Sequence, residues 1–235
     1  MTSQLSPTTP AQHMSVEPRA FAFEAVIADI GNLRWAELGS DELINVAWAY
    51  YYFSIQFREN LEIARKLLPD DDRLLDLDHG ERDTDNLSPW PGVAKPGEKM
   101  HHDEFMRRTL TLAAIAEDRR SALSALGQAY LEKVRGMDDM TRAVSIASYE
   151  DGGLETVFGA MLTAPNWSGP LQGAFKHFLA EHIRFDSDPD AGHGALARHL
   201  KVDDRILPLW TDFHQILIEA APALAVAPAQ ARIAS

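Results

Sequence analysis

The sequence predicts an all-α fold, a single-domain bundle of about seven helices. Two observations lead to this expectation. Apolar residues recur at helical spacing through most of the chain, and no segment alternates apolar and polar residues as a half-buried strand does. Prolines and glycines stand between the periodic segments, where they are expected to end helices.

The predicted helices follow one another along the chain with one long irregular interruption. Their expected positions are residues 41–68, 73–78, 101–117, 118–134, 138–162, 170–186 and 204–221. Residues 81–99 contain two prolines and a glycine around Trp90, so they cannot form one regular element. Residues 1–18 are rich in Ser, Thr and Pro, and we expect them and residues 223–235 to lack fixed structure. The helical domain is therefore expected to span residues 19–222.

Charge and composition exclude several classes of function. The formal net charge is −13, and the chain has no basic patch of the kind that binds nucleic acid or anionic membranes. No apolar run approaches the length of a membrane span. The N-terminus lacks the charged and then apolar order of a signal peptide. We therefore expect a cytoplasmic protein with neither nucleic acid nor membrane as a partner.

The chain contains no cysteine. This excludes disulfides, thiolate zinc sites, iron–sulfur clusters and a cysteine nucleophile. Any metal would be bound by His, Asp and Glu, which suit iron, manganese or zinc.

Glu150 lies on the apolar stripe of its predicted helix. A charged residue at such a position must be paired, neutralised or bound to a metal. Glu155 falls on another face and is expected to be solvated. One structural alternative stays open, in which Glu150 pairs with a buried Arg or bonds to a Tyr. The stripe around Glu150 consists of Ala143, Ile146, Ala147, Leu154, Val157 and Met161.

The helix over residues 170–186 places two polar residues on its apolar face. His182 and Asp186 are four residues apart, a spacing that lets two side chains reach one ion. By itself this spacing is more often a surface ion pair. His177 lies on the opposite side and is expected to be solvated, as is His199.

Two further candidates come from the middle of the chain. His102 shares a stripe with Phe105 and Met106, although it could simply be a histidine packed at a helix start. Glu81 falls in line with the apolar residues of the short helix before it, provided that the helix continues through Gly80. Glu59 and Glu62 lie off their stripe and are expected to be solvated. The candidate metal ligands are Glu81, His102, Glu150, His182, Asp186 and His193.

The order of these residues resembles the heme-oxygenase-like di-iron oxidases and oxygenases, which include the CADD-like proteins and share a fold with TenA and pyrroloquinoline-quinone synthase. That family has Glu, then His, then Glu, then a His-x3-Asp-x2-His cluster. The matching segments are HGERD, HHDEF, SYEDG, HIRFD and GHG, and the resemblance covers about residues 40–220. This chain departs from the pattern because six residues separate Asp186 from His193. Two residues separate Asp190 from His193, which is the spacing of the family pattern. Asp190 is therefore an alternative ligand.

The resemblance also distinguishes this chain from two relatives of the family. TenA-type thiaminases use a cysteine, which is absent here. True heme oxygenases have a Gly-rich distal helix and an early proximal histidine, and the sequence contains neither.

The resemblance implies a heme-oxygenase-like bundle with two ferrous ions as cofactor and dioxygen as co-substrate. It implies N-oxygenation, desaturation or C–C cleavage of an amino-acid-like or fatty-acid-like substrate, with Glu150 and His182 in catalytic roles. A homodimer is the assembly typical of such folds. Two alternatives stay open: a metal-free oxidase resembling pyrroloquinoline-quinone synthase, with histidines as acids and bases, and a non-catalytic domain that binds a small ligand.

Overall fold

The computed structural model describes residues 21–82, 87–186 and 192–225. Within these ranges the regular structure is helical, which confirms the predicted all-α, single-domain fold. The α-helices are α1 (Ala22–Gly31), α2 (Ser40–Leu67), α3 (Asp72–Gly80), α4 (His102–Leu110), α5 (Glu117–Arg135), α6 (Asp139–Ser148), α7 (Leu154–Met161), α8 (Pro170–Asp186), α9 (His193–Ala197) and α10 (Leu207–Ala220).

Helix α2 is the centre of the bundle. It has 28 residues, and it packs against α4, α5, α6, α8 and α10. Because it is surrounded, its buried residues are not confined to one stripe and include polar side chains such as Gln56 and Asn60.

The buried polar side chains of α2 have partners on α5, on α6 and at Tyr149, the residue that follows α6. Tyr130 donates a hydrogen bond to Gln56, which donates in turn to the hydroxyl of Tyr149 over 2.7 Å. Asn60 donates to Ser145 and accepts from the guanidinium of Arg142. Because buried polar groups must be satisfied, these bonds fix the register between the helices.

The structure differs from the predicted helices at two places. The segment predicted as a helix over 101–117 ends at Leu110, and residues 111–116 form turns and irregular backbone before α5 begins. The segment predicted over 138–162 is divided into α6 and α7 by a widened turn, Tyr149–Gly153. Gly152 lies in this turn at φ +89°, a conformation that favours glycine and ends the regular helix.

Two helices were not predicted. Helix α1 carries Phe23, Ile27 and Ile30 on its buried face, a helical spacing that the sequence does contain. Helix α9 has five residues, which is too short to give a periodic signal.

The expected disordered segment 1–18 lies outside the described residues, as do residues 226–235 of the expected tail. Leu224, within that tail, is fully buried, so the packed part of the chain extends at least to this residue. Within the described ranges, no helix has both the length and the apolar character needed to cross a membrane.

Gly127 provides a test of the packing between α2 and α5. A Cβ atom at this position would lie 2.0 Å from the ring of Tyr52. We expect Gly127→Ala to lower the free energy of unfolding by about 1–3 kcal/mol, because the two helices would have to separate. Urea unfolding followed by circular dichroism measures this change.

Gly159→Ala is the matched control. Gly159 is an exposed residue of α7, and a Cβ there has nothing within 4 Å among the described residues. This substitution should stabilise the protein by about 0.5–1 kcal/mol through helix propensity. Equal effects of the two substitutions would contradict the close α2–α5 contact.

Candidate metal centre

Five of the six predicted ligands meet in the core of the bundle. Glu81, His102, Glu150, His182 and His193 are all buried, and each comes from a different segment of the chain. The sixth, Asp186, ends α8, but its side chain lies outside the described part of the structure, and so does the whole of Asp190. The choice between these two aspartates stays a prediction.

Glu81 is held at the end of α3. Asp71 caps the start of this helix by accepting hydrogen bonds from two main-chain N–H groups. The helical backbone continues one residue past Gly80, since the N–H of Glu81 donates to the carbonyl of Leu77 over 2.9 Å. The predicted alignment of Glu81 with the apolar face of α3 is confirmed, and this alignment turns the carboxylate into the core.

The carboxylate of Glu81 lies between two histidines. Its Oε2 is 2.8 Å from Nδ1 of His102, and its Oε1 is 3.0 Å from Nδ1 of His193. Each oxygen therefore faces a different group of residues. Glu81 divides the cluster into two halves and belongs to both.

His102 and His182 form the first half. Nε2 of His182 is 3.0 Å from Nδ1 of His102. On its other side, Nδ1 of His182 lies 2.8 Å from the main-chain carbonyl of Phe178. A carbonyl only accepts, so Nδ1 carries the proton, and the lone pair of Nε2 points into the cluster.

The protonation state of His182 agrees with this geometry. Burial and the neighbouring His102 lower the pKa of His182 to about 3. The ring also packs closely against Phe178, with their centroids 4.1 Å apart. His182 is therefore a neutral imidazole in a fixed tautomer, which is the form that binds metals.

His193 and Glu150 form the second half. Nδ1 of His193 is 3.4 Å from Oε2 of Glu150, and ligand atoms of Glu81, Glu150 and His193 lie within 4.8 Å of one another. Two glycines make this approach possible. A Cβ on Gly80 would lie 2.7 Å from Nε2 of His193, and a Cβ on Gly194 would lie 2.8 Å from the carbonyl oxygen of Glu150.

The charges in the second half shift the pKa values of its members in opposite directions. Burial opposes the charge of Glu81, but the charges of His102 and His193 outweigh it and hold the pKa of Glu81 well below its usual range. Burial likewise opposes the charge of His193, but Glu81 and Glu150 raise its pKa well above the ordinary value. Burial raises the pKa of Glu150. The cluster therefore favours an ionised Glu81 beside a protonated His193.

Glu81, Glu150 and His193 could together hold a metal ion. Among the described residues, Nε2 of His102 has no hydrogen-bond partner, and Oε2 of Glu150 has none beyond its contact with His193. Carboxylate oxygens and neutral imidazoles are the ligands that iron, manganese and zinc accept.

A small cavity borders the cluster. Its water-accessible volume is about 20 Å³, enough for roughly one water-sized molecule. The cavity is lined by Glu81, His102, Glu150 and His182 together with Tyr50, Phe53, Ser54, Phe57 and Leu154. Most of the residues that accompany the cluster are aromatic or aliphatic.

The residues expected outside the site divide into two groups. Glu155 is exposed, as predicted. The expectation that His177 and His199 are solvated is wrong, since both are partly buried. His177 bonds to the carbonyl of Leu87 and stacks on Trp90, while His199 bonds to Asp71.

Tertiary contacts explain these differences. The loop around Trp90 lies against the outer face of α8, and helical periodicity carries no information about such a contact. Glu59 and Glu62 are likewise half-buried in ion pairs with Arg135 and Arg58 rather than fully solvated.

Sequence reasoning did not identify the groups that support the ligands. The carbonyl of Phe178 orients His182, and Gly80 and Gly194 allow the close approach of His193 and Glu150. The only available signal is that a glycine directly adjoins Glu81 and His193 in the sequence, in HGE and GHG.

Comparisons with known proteins give no assignment. No family model, no curated protein and no solved structure matches this chain.

The Glu81–His193 pair makes the stability of the metal-free protein depend on pH. The lowered pKa of Glu81 contributes stability that is present above the ordinary value of 4.5 and is lost on acidification. The raised pKa of His193 contributes stability that is complete below 6.5 and is lost as pH rises towards its folded-state pKa. Glu81→Gln should therefore destabilise the protein most between about pH 4.5 and 6.5.

Urea unfolding of chelator-treated protein at about pH 5.5 and about pH 8.5 measures this dependence. Glu155→Gln is the control, because its carboxyl is exposed. If Glu81→Gln lowers the free energy of unfolding more at the higher pH than at the lower pH, the charged Glu81–His193 pair is contradicted.

Proposed function

We propose that this protein is a non-heme di-iron enzyme that activates dioxygen and oxidises or oxygenates a small organic substrate. The observation that carries the proposal is the position of Glu81, which presents one carboxylate oxygen to each half of a buried histidine–carboxylate cluster. A carboxylate between two groups of ligands, built from several helices, is the usual arrangement of di-metal sites in helical bundles.

The ligands divide between two ions through Glu81. His102 and His182 would hold one ion together with Glu81, and Glu150 and His193 would hold the other. Asp186, or Asp190 in its place, would supply the third carboxylate that the resemblance implies. Three carboxylates offset most of the charge of two ferrous ions.

The ions would supply the electrons that reduce dioxygen, and the protein controls what surrounds them. Burial of the cluster keeps out bulk water, which strengthens electrostatic interactions and prevents side reactions. The hydrogen bond from His182 to the Phe178 carbonyl fixes the ligand's tautomer and direction. His102 and His193 must each release a proton from Nδ1 if that atom is to bind a cation.

The choice of iron rests on the resemblance to heme-oxygenase-like di-iron proteins, because the same donor set also suits manganese and zinc. The oxidase or oxygenase assignment rests on that resemblance too. The buried cluster supports a metal centre independently of it.

A second candidate function is metal-free acid–base catalysis. One observation favours it: His193 lies between Glu81 and Glu150, and its pKa is raised, so that the pair can store and deliver a proton. The enzyme would then resemble pyrroloquinoline-quinone synthase. The two functions differ in whether stoichiometric metal is bound.

Measurement of bound iron distinguishes the residues of the cluster from nearby residues that are not expected to bind metal. After anaerobic loading with ferrous iron, we expect about two ions per chain in the parent protein. His182→Ala and Glu150→Ala should each lose bound iron, because each removes a ligand from one half of the site. His177→Ala and Glu155→Ala should keep it. Iron is measured by a colorimetric chelator after desalting.

Two outcomes of the iron measurement would contradict the di-metal proposal. No stoichiometric iron, manganese or zinc at any loading would overturn the di-metal proposal and favour the metal-free function. Equal loss in the two pairs of variants would show that the cluster is not the site of binding.

Dioxygen consumption tests the reaction. Iron-loaded protein should consume dioxygen faster with a substrate than without one, and the chelator-treated protein should not. An oxygen electrode measures both rates. Substrate-dependent consumption that survives complete metal removal would support the metal-free oxidase.

A further inference from the structure

Helix α9 carries His193, yet the helix itself contains little that fixes its position. Five residues are too few for a helix that is stable alone. Its buried residues besides His193 are Gly194 and Ala197, which bury little apolar area. Nevertheless, Nδ1 of His193 lies only 3.0 Å from a carboxylate oxygen of Glu81. Contacts outside the helix are therefore needed to hold His193 in place.

The segment around α9 packs along α3 in the opposite direction. At one end, His193 lies against Gly80 and Glu81, and a Cβ on Gly80 would be 2.7 Å from Nε2 of His193. At the other end, His199, two residues after α9, bonds to Asp71, the residue before α3. A histidine and a carboxylate thus join the two elements at each end.

The carboxylate of Asp71 holds both elements at once. Its Oδ1 accepts hydrogen bonds from the main-chain N–H groups of Arg73 and Leu74, over 3.1 and 3.3 Å, and so caps α3. Its Oδ2 accepts from Nε2 of His199. Burial opposes the charge of Asp71, but the hydrogen bonds from His199 and Leu74 outweigh it and lower the pKa of Asp71. The bond to His199 is therefore charge-assisted.

A continuous turn of backbone connects His199 with His193. The N–H of Arg198 donates to the carbonyl of Gly194 over 3.0 Å, so the turn continues past the end of α9. Leu200, directly after His199, is buried. Because the backbone between the two histidines is hydrogen-bonded, a displacement of His199 also displaces His193.

The His199–Asp71 contact is better shielded than a neighbouring ion pair of the same segment. The side chains of His199 and Asp71 are 18% and 16% exposed, whereas those of Arg198 and Asp151 are 57% and 43% exposed. Exposed ion pairs contribute little, because water and salt screen them. The contact with Asp71 is therefore the stronger restraint on the residues after α9.

We propose that His199 and Asp71 are positioning residues for the metal centre, because their contact holds α9 against α3 and so places His193 beside Glu81. They act through the backbone of the two helices and not as ligands. The effect on metal binding rests on the proposed function, whereas the restraint on α9 does not.

Iron affinity tests the effect on the centre. His199→Leu keeps a side chain of similar size and removes the donor to Asp71. The ion in the second half of the cluster should then bind about tenfold more weakly, because a charge-assisted hydrogen bond that places His193 is lost. The ion in the first half should bind as in the parent, whereas a general loss of structure would weaken both. Anaerobic competition of ferrous iron with a colorimetric chelator measures the two affinities.

Asp71→Ser separates the contact with His199 from the cap of α3. Serine caps a helix about as well as aspartate, but it has a single side-chain oxygen, so the oxygen that binds His199 is lost. This variant should weaken the same ion as much as His199→Leu does. The double variant should bind no more weakly than either single variant, because both remove one contact.

His177→Leu is the matched control. His177 is also a partly buried histidine bonded to a distant segment, at the carbonyl of Leu87. This substitution should leave both iron affinities unchanged.

Hydrogen–deuterium exchange of the chelator-treated protein tests the restraint without metal. Loss of the His199–Asp71 contact should raise the exchange rate about tenfold in residues 193–200 and leave α5 unchanged. Mass spectrometry of peptic peptides measures both regions.

The outcomes separate this inference from the proposed function. Faster exchange in residues 193–200 together with weaker binding of one ion supports the positioning role. If the parent binds no stoichiometric metal, the proposed function fails, and the exchange rate of residues 193–200 then decides on the restraint. Thermal unfolding by circular dichroism identifies a variant that has lost its fold, and if His199→Leu is such a variant, Asp71→Ser decides.

Five results would each overturn the positioning role. They are unchanged exchange in residues 193–200, unchanged iron affinity, equal weakening of both ions, additive effects in the double variant, and an equal effect of His177→Leu.

Discussion

The burial of the Glu81 carboxylate is the constraint on which the centre of this protein depends. A carboxylate in the core of a helical bundle is costly unless opposite charge or hydrogen-bond donors surround it. Here the compensation comes from His102 on one side and His193 on the other. Those histidines in turn bring His182 and Glu150 into contact with the cluster. Five separate stretches of the chain thereby meet at one point: the end of α3, α4, the turn Tyr149–Gly153, α8 and α9.

The core contains two kinds of polar group, and they differ in how completely they are satisfied. The bonds that connect Gln56 with Tyr130 and Tyr149 belong to a network that serves packing. In the cluster around Glu81, by contrast, Nε2 of His102 lacks a partner among the described residues, and Oε2 of Glu150 has only its contact with His193. Unsatisfied buried atoms also occur away from the cluster in the described part of the chain, on Trp48, Thr109 and Trp167, so they do not mark it by themselves. What distinguishes the cluster is that ligand atoms of Glu81, Glu150 and His193 lie within 4.8 Å of one another.

The turn Tyr149–Gly153 connects the cluster with the surface. It interrupts a segment that would otherwise be one helix, and it does so through Gly152 at positive φ. This break directs Glu150 towards His193 while the next residue, Asp151, pairs with Arg198 at the surface. An unbroken helix would place both residues on a regular surface. The irregular backbone thus lets two neighbouring residues of one turn reach the buried cluster and the protein surface.

The sequence alone determined the all-α class and the approximate course of α2, α5 and α8. Helical periodicity also reports which residues share a buried face. The sequence therefore determined the inward direction of four polar residues: Glu81, His102, Glu150 and His182. It could not locate the break between α6 and α7 or the five-residue α9, since neither has a periodic signal. It also misplaced His177 and His199, whose partners, Leu87 and Asp71, are distant in the chain. Only the tertiary structure decided that Glu81 stands between two histidines, because the distance between side chains from different helices depends on how the helices pack, and periodicity within one helix contains no information about its neighbours.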